Sequence, residues 1–206
     1  MVDENANVDI VCMLQWFGPF SGKEDCKDWV KSQGVSFKEF NFYIICGKRP
    51  GRGVRKDSFY CGITRQNFIF QRFDDPNHPS NKLNNLEIWI ARFSDEKLRI
   101  LTSDNKLRPE MNIYIEEVEH GLINYLSQLE QTEQIEFNIV NDRKRKSQPK
   151  ESLCIINQWY DKFRNNRINR VYRAIKWFPD IIYYDEFENN GNGMWKISSR
   201  LKLLKR

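Results

Sequence analysis

Apolar positions along the 206-residue chain fall in short runs separated by polar, glycine-containing breaks, and the period of each run predicts its element. VDIVCML (8–14) reads as a buried strand, with WFGPFSG (16–22) as the turn after it. KEDCKDWVKSQ (23–33) predicts a short helix that stops at Gly34. NFYIIC (41–46) and SFYCGIT (58–64) alternate and are rich in β-formers, so they predict a β-hairpin. Its tip is GKRPGRGVRKD (47–57), a loop of three glycines, one proline and five cations. LEIWIARF (86–93) predicts a third strand and LRIL (98–101) a fourth. The longest helical period runs over IYIEEVEHGLINYLSQLEQ (113–131). RKRKSQPK (143–150) holds the only proline between 110 and 178 and predicts a hinge; a helical stretch follows over 151–177, interrupted at Asn165-Asn166. The chain ends as a second hairpin, DIIYYDEF and MWKISSRLKLL around the turn ENNGNG. No internal repeat is visible.

Composition adds that these elements can build a core: 40% of residues are apolar, 14% aromatic, and the 30% that are charged are mixed in sign. No apolar run approaches the ~20 residues of a membrane helix. The start MVDENANVD is acidic and lacks the basic lead of a secretory signal. The five cysteines (Cys12, Cys26, Cys46, Cys61, Cys154) are odd in number, scattered and without a C-x-x-C pair, which predicts reduced thiols and a cytoplasmic protein. Two histidines and no paired cysteines argue against a structural zinc site.

Charge changes the picture more. Residues 143–206 carry 16 Lys/Arg against 6 Asp/Glu, net +10, and residues 1–142 carry 17 against 22, net −5, which together make the chain's +5. A basic final third on a mildly acidic body suggests a polyanion partner, with a merely solubilising surface as the alternative.

Candidate chemistry concentrates in FYCGITRQNFIFQRFDDPNH (59–78), where Arg72 stands between Phe70 and Phe73. An obligatory cation in apolar company is usually held by an anion. Strand periodicity sets Phe42, Ile44 and Cys46 on one face and Tyr43 on the other, so Tyr43 and Tyr60 should emerge together opposite the core. Gly62 removes a side chain beside Tyr60, which would let a ligand approach the backbone. On the long helix, Leu122, Ile123 and Leu126 form an apolar stripe that Glu119 prolongs toward the N-terminus, with Glu116 as a competing carboxylate. Each feature also has an ordinary reading: core tyrosines, a solvated glutamate, a surface histidine at His78.

As an ordered set, these residues resemble the GIY-YIG nuclease family. Asn41-Phe42-Tyr43 takes the place of the first triad and Tyr60-Cys61-Gly62 that of the second, continuing as Ile63-Thr64-Arg65. Arg72 stands where the family keeps its arginine, VEHGLINYL resembles the metal-binding helix, and NIVND offers Asn138 or Asn141 for the late asparagine. The likeness covers residues 40–142. Three features depart from the pattern: only the tyrosine of the first triad is kept, the spacing between the tyrosines is longer, and Pro76 occupies a position that is often His or Tyr, the nearest histidine being His78.

The resemblance implies an α+β fold, a small antiparallel three-stranded sheet flanked by helices. Residues 1–39 would be an N-terminal extension contributing an edge strand, 143–150 a basic hinge, and 151–206 a basic helix-plus-hairpin appendage. It implies a metal-dependent DNA endonuclease. Glu119 would hold Mg²⁺ or Mn²⁺ and Arg72 would contact the scissile phosphate. Tyr43 would orient or deprotonate the attacking water, its pKa lowered by nearby cations; Tyr60 would hydrogen-bond in the same site, and His78 would carry a second proton or bind the leaving group. Arg49, Arg52, Arg55, Lys56 and Arg65 would contact backbone phosphates, as would Arg170 and Arg173 on the C-terminal helix opposite its apolar face of Ile168, Val171, Tyr172 and Ile175. One such constellation cuts one strand at a time, so double-strand cutting would take a dimer or two visits. The alternatives are a nucleic-acid-binding module on the same fold without cleavage, and a protein-interaction domain that uses WFGPF and the C-terminal hairpin as an aromatic surface.

Overall fold

The computed structural model describes residues 10–48, 50, 57–64, 69–95, 109–132, 137–139, 149–150, 152–161, 180–185 and 194–198. The expectations for the hairpin tip (Arg49, Arg52, Arg55, Lys56), Arg65, the strand 98–101, Asn141, the hinge core and the helical stretch with Arg170 and Arg173 lie outside them. In chain order, the described elements are β1 (Ile10–Phe20), α1 (Lys23–Ser32), β2 (Phe42–Lys48), β3 (Asp57–Ile63), α2 (Ile69–Phe73), β4 (Asn84–Phe93), α3 (Pro109–Thr132), β5 (Phe137–Ile139), β6 (Leu153–Asp161), β7 (Ile181–Asp185) and β8 (Met194–Ser198).

All eight strands form one sheet in the order β5-β3-β2-β4-β1-β6-β7-β8. β1–β6 and β3–β5 pair in parallel and the other neighbours antiparallel. The fold is therefore α+β, but the small sheet of three is corrected. The strands β3-β2-β4 are antiparallel neighbours as expected, and they form the middle of a larger sheet. β1 is not an edge strand either: it lies between β4 and β6, paired with β6 from Ile10↔Leu153 to Gly18↔Asp161. The sheet thus runs without a break from the expected appendage through the N-terminal segment into the central hairpin.

Two local predictions fail for reasons visible in the packing. WFGPF continues β1 instead of turning. The register against β4 shifts between Phe17 and Phe20, and this bulge accommodates Pro19, which has no N–H for the ladder. Gly18 is required there, because a Cβ would come within 2.8 Å of the Trp89 ring and of the Ile88 carbonyl. Trp16, Phe17 and Phe20 are buried, so the aromatic interaction surface expected at this stretch does not exist. Residues 153–161, expected as helix, are strand β6. Leu153, Ile155 and Trp159 are buried on one face while Cys154, Ile156, Gln158 and Tyr160 are half-buried on the other, a period of two.

Both faces of the sheet centre are covered. α3 lays Ile115, Val118, Leu122, Ile123 and Leu126 against Phe42, Ile44, Cys61 and the strands beside them. On the other face, Cys26 and Val30 of α1 and Ile69, Phe70 and Phe73 of α2 cover Tyr43, Ile45, Ile88 and Ile90. A strand buried on both faces reads as one apolar run, and FYIIC in β2 is such a run. Where β1, β4 and β6 meet, Trp16 stacks on Trp159 at 5.4 Å and Trp89 meets Trp159 edge-on at 5.4 Å. Trp16 Nε1 donates to Asn157 Oδ1 at 2.8 Å, a buried bond that ties the N-terminal strand to β6. Asn157→Ala should leave that indole N–H without its acceptor and destabilise the protein by about 1–3 kcal/mol. Urea unfolding followed by tryptophan fluorescence and circular dichroism measures this, with one coincident transition expected in both signals because the sheet is continuous.

Candidate functional site

The hairpin register places Tyr43 opposite Gly62 and Ile45 opposite Tyr60, so the two tyrosines are diagonal neighbours on one face, with ring centroids 5.9 Å apart. That face is the one covered by α1 and α2. Tyr43 is 0% exposed, and its expected emergence from the core is corrected: a second apolar layer lies over it. Tyr60 is only half-buried. The expected role of Gly62 also changes. A Cβ at Gly62 would overlap Tyr43 Cζ and Oη, so the missing side chain makes room for the Tyr43 ring and not for a ligand beside Tyr60.

α2 and the loop after it complete the enclosure. Ile69, Phe70 and Phe73 point into the core, and Gln71 and Arg72 are exposed. The aromatics that flank Arg72 in sequence therefore mark an amphipathic turn, not an arginine sunk in an apolar pocket. Phe73 meets Tyr43 edge-on at 5.1 Å and His78 at 5.5 Å. His78 meets Tyr60 edge-on at 5.1 Å. His78 is 5% exposed, which excludes the surface-loop reading of DDPNHPSN for this residue.

His78 also caps the 3₁₀ turn Pro79–Lys82. Its Nδ1 accepts from the Ser80 backbone N–H at 3.3 Å and lies 2.8 Å from Ser80 Oγ, while Nε2 lies 3.0 Å from Tyr43 Oη. A backbone amide can only donate, so Nδ1 carries no proton and the neutral ring holds its proton on Nε2. His78 Nε2–H therefore donates to the Tyr43 oxygen. Burial depresses the His78 pKa from 6.5 to about 4, and the Arg72 guanidinium adds to the effect. Burial pushes the Tyr43 phenol well above its usual range; Tyr60 adds to this, and the Arg72 charge opposes it. Among the described residues desolvation thus outweighs Arg72, and the hairpin cations Arg49, Arg52, Arg55 and Lys56 that were expected to lower Tyr43 lie outside the described residues. Tyr60 is likewise raised, first by burial, against the pull of its bond to Tyr43 and of Arg72, with the Glu119 carboxylate adding to the rise.

Glu119 is 4% exposed on α3, and its field reaches Tyr60; Glu116 is half-buried. Tyr43, Tyr60, Phe73 and His78 are thereby brought together on one sheet face, with Arg72 exposed on α2 beside them, while Glu119 stands on α3, the helix that covers the opposite face, and only its field reaches Tyr60. Asn138 lies in β5 opposite Ser58. Phe73, noted in the sequence as a neighbour of Arg72, belongs to the same cluster, and so does Ser80, which was not singled out, although His-Pro-Ser, with proline at the first position of a turn, is a readable capping signal. Among the described residues no group of three or more His, Cys, Asp and Glu converges. Glu117 and Glu119 are both buried on α3, and a carboxylate so placed would suit Mg²⁺, which keeps several waters and borrows substrate phosphate oxygens, better than a metal that needs an all-protein cage. No family model, curated protein or solved structure matches the chain.

Two consequences are measurable. Gly62→Ala should force the Tyr43 phenol from its place and cost about 1–3 kcal/mol, read as a lower Tm. Because folding depresses the His78 pKa, the unfolded chain binds the proton first. Stability contributed by neutral His78 is complete above pH about 6.5 and is lost as pH falls toward about 4. Denaturation at a series of pH values should show a shallower acid slope for His78→Gln than for the unsubstituted protein.

Proposed function

We propose that the chain is a metal-dependent endonuclease that hydrolyses DNA phosphodiester bonds. The observation that carries this reading is the grouping of Tyr43, Tyr60 and His78 on one sheet face, with ring centroids 5.9 Å apart for the tyrosines and His78 Nε2 3.0 Å from Tyr43 Oη, beneath the exposed Arg72 of α2. The Arg72 charge is felt by all three, and the field of Glu119, buried on α3, reaches Tyr60. A cation and two phenols on one sheet face, with a buried acid group on the helix across the sheet, are the kinds of group that phosphodiester hydrolysis uses. A water oxygen must bond to phosphorus, the bond to the leaving oxygen must break, and negative charge gathers on the phosphoryl oxygens meanwhile.

Arg72 is accessible to solvent, so its planar fork can pair with two phosphate oxygens. Glu119 would hold Mg²⁺ or Mn²⁺, which when bound supplies positive charge to the phosphate and acidifies a coordinated water. The phenols contribute hydrogen bonds whose directions are fixed before substrate arrives. His78 stays neutral at pH 7 and acts as a donor to Tyr43, so it holds the site's geometry and does not take a proton there. The basic final third would supply salt-dependent affinity for the DNA backbone.

A second reading, a DNA-binding module without cleavage, draws support from the same burial. Tyr43 is withdrawn from solvent and kept protonated. The two readings separate in one assay. Purified protein is incubated with supercoiled, linear and branched DNA in Mg²⁺, Mn²⁺ or EDTA. Nicking or cutting that requires the metal is expected, and Glu119→Ala and Arg72→Ala, in protein shown to be folded by circular dichroism, should each reduce it by about 100-fold or more. Metal-independent binding with no cleavage of any substrate selects the binding module.

A further inference from the structure

The two tyrosines are unequal, and the inequality assigns them different work. A phenol hydroxyl has one proton to give and two lone pairs to offer. At Tyr43 the oxygen accepts from His78 Nε2–H at 3.0 Å, and the Tyr60 ring lies beside it with centroids 5.9 Å apart. Around the ring, Gly62 lies beneath, Phe73 stands edge-on at 5.1 Å, and Tyr60 and His78 close the remaining sides. No surface of Tyr43 reaches solvent.

Tyr60 differs on both counts. Its ring is half-buried. Its phenol stays protonated, because burial raises its pKa, and so has a proton to donate. A group in that state can donate to a phosphate oxygen or to an attacking water.

We propose that Tyr60, not Tyr43, is the phenol that meets the phosphodiester and its attacking water, and that Tyr43 is a positioning residue whose hydroxyl is aimed at Tyr60 by His78. The aim originates one step further back. The Ser80 amide fixes which nitrogen of His78 carries the proton, and that choice fixes the direction of the bond after it: Ser80 to His78, His78 to Tyr43. The proposal rests on the nuclease reading for its substrate, but the contact it names can be read without cleavage.

The test uses the full chain. In EDTA, where the metal-dependent reaction cannot run, a short DNA duplex is titrated into protein carrying labelled tyrosine and histidine, and the ring resonances are followed. The Tyr60 ring should shift and the Tyr43 ring should move much less, with His78 protonated on Nε2 throughout. A shift confined to Tyr43, a His78 ring protonated on Nδ1, or no binding at low salt would overturn the assignment. With Mg²⁺ and supercoiled plasmid, Tyr60→Phe should lose about 100-fold in rate and Tyr43→Phe about 10-fold. His78→Gln, which keeps a side-chain N–H donor, should stay nearer the unsubstituted rate than His78→Ala. A larger loss for Tyr43→Phe than for Tyr60→Phe contradicts the proposal and leaves the nuclease reading standing. Absence of all cleavage together with a Tyr60 shift does the reverse: it retires the nuclease reading and supports the contact.

Discussion

A phenol hydroxyl with no access to water must be fully hydrogen-bonded, and this constraint at Tyr43 organises the centre of the molecule. Leaving such a group unpaired in an apolar layer costs roughly 2–7 kcal/mol, comparable to the whole net stability of many domains. The chain meets the demand with residues from three places: Gly62 of β3 opens the space, Phe73 of α2 packs edge-on against the ring, and His78 of the following loop donates to the hydroxyl. Because one His78 nitrogen is committed to the Ser80 amide, the direction of that bond is fixed. A site built this way is ordered before any ligand arrives, which is the condition for electrostatic stabilisation without reorganisation.

The constraint exists only because the sheet is covered on both sides. Were the hairpin half-exposed, Tyr43 would reach water and none of its partners would be obligatory. The second layer, α1 and α2, is tied together by the exposed Lys23–Asp74 ion pair at 2.8 Å and by aromatic packing of Phe37 on Phe70 at 5.0 Å. The packing carries more of this than the ion pair, since exposed pairs contribute about 0–1 kcal/mol. The first layer, α3, delivers Glu119 from the opposite side. The cluster thus forms where one strand pair is approached from both faces, with Tyr60 as the member that both Arg72 and Glu119 influence.

The width of the sheet follows from β1. Its parallel pairing with β6 brings residues 153–161 beside an N-terminal strand, and Trp16, Trp89 and Trp159 fill the seam. The segment that was expected to stand apart as a basic appendage contributes to the same core. Its charge can still serve a polyanion, but its first strand also serves the fold.

Local pattern in the sequence determined the elements with strong periods and the order of the chemical groups. α1, the β2–β3 hairpin, β4, α3 and the pairing of β7 with β8 follow from apolar spacing and turn residues, because such elements need only neighbours in sequence to declare their faces. Tyr43, Tyr60 and Glu119 were legible as candidates because each stood on a recognisable strand or helix, while Arg72, marked by its aromatic neighbours, and His78 were placed by the ordered likeness to a known family. Tertiary structure alone decided that β1 is central, that 153–161 is a strand, that Gly62 serves Tyr43, and that the Tyr43 hydroxyl is buried. Each of these depends on what lies across a sheet face or a strand edge, and the partners there come from distant parts of the chain. A period of two records that a side chain has a face; what covers that face, and hence whether a hydroxyl meets water or must find a buried partner, is set only when the layers close.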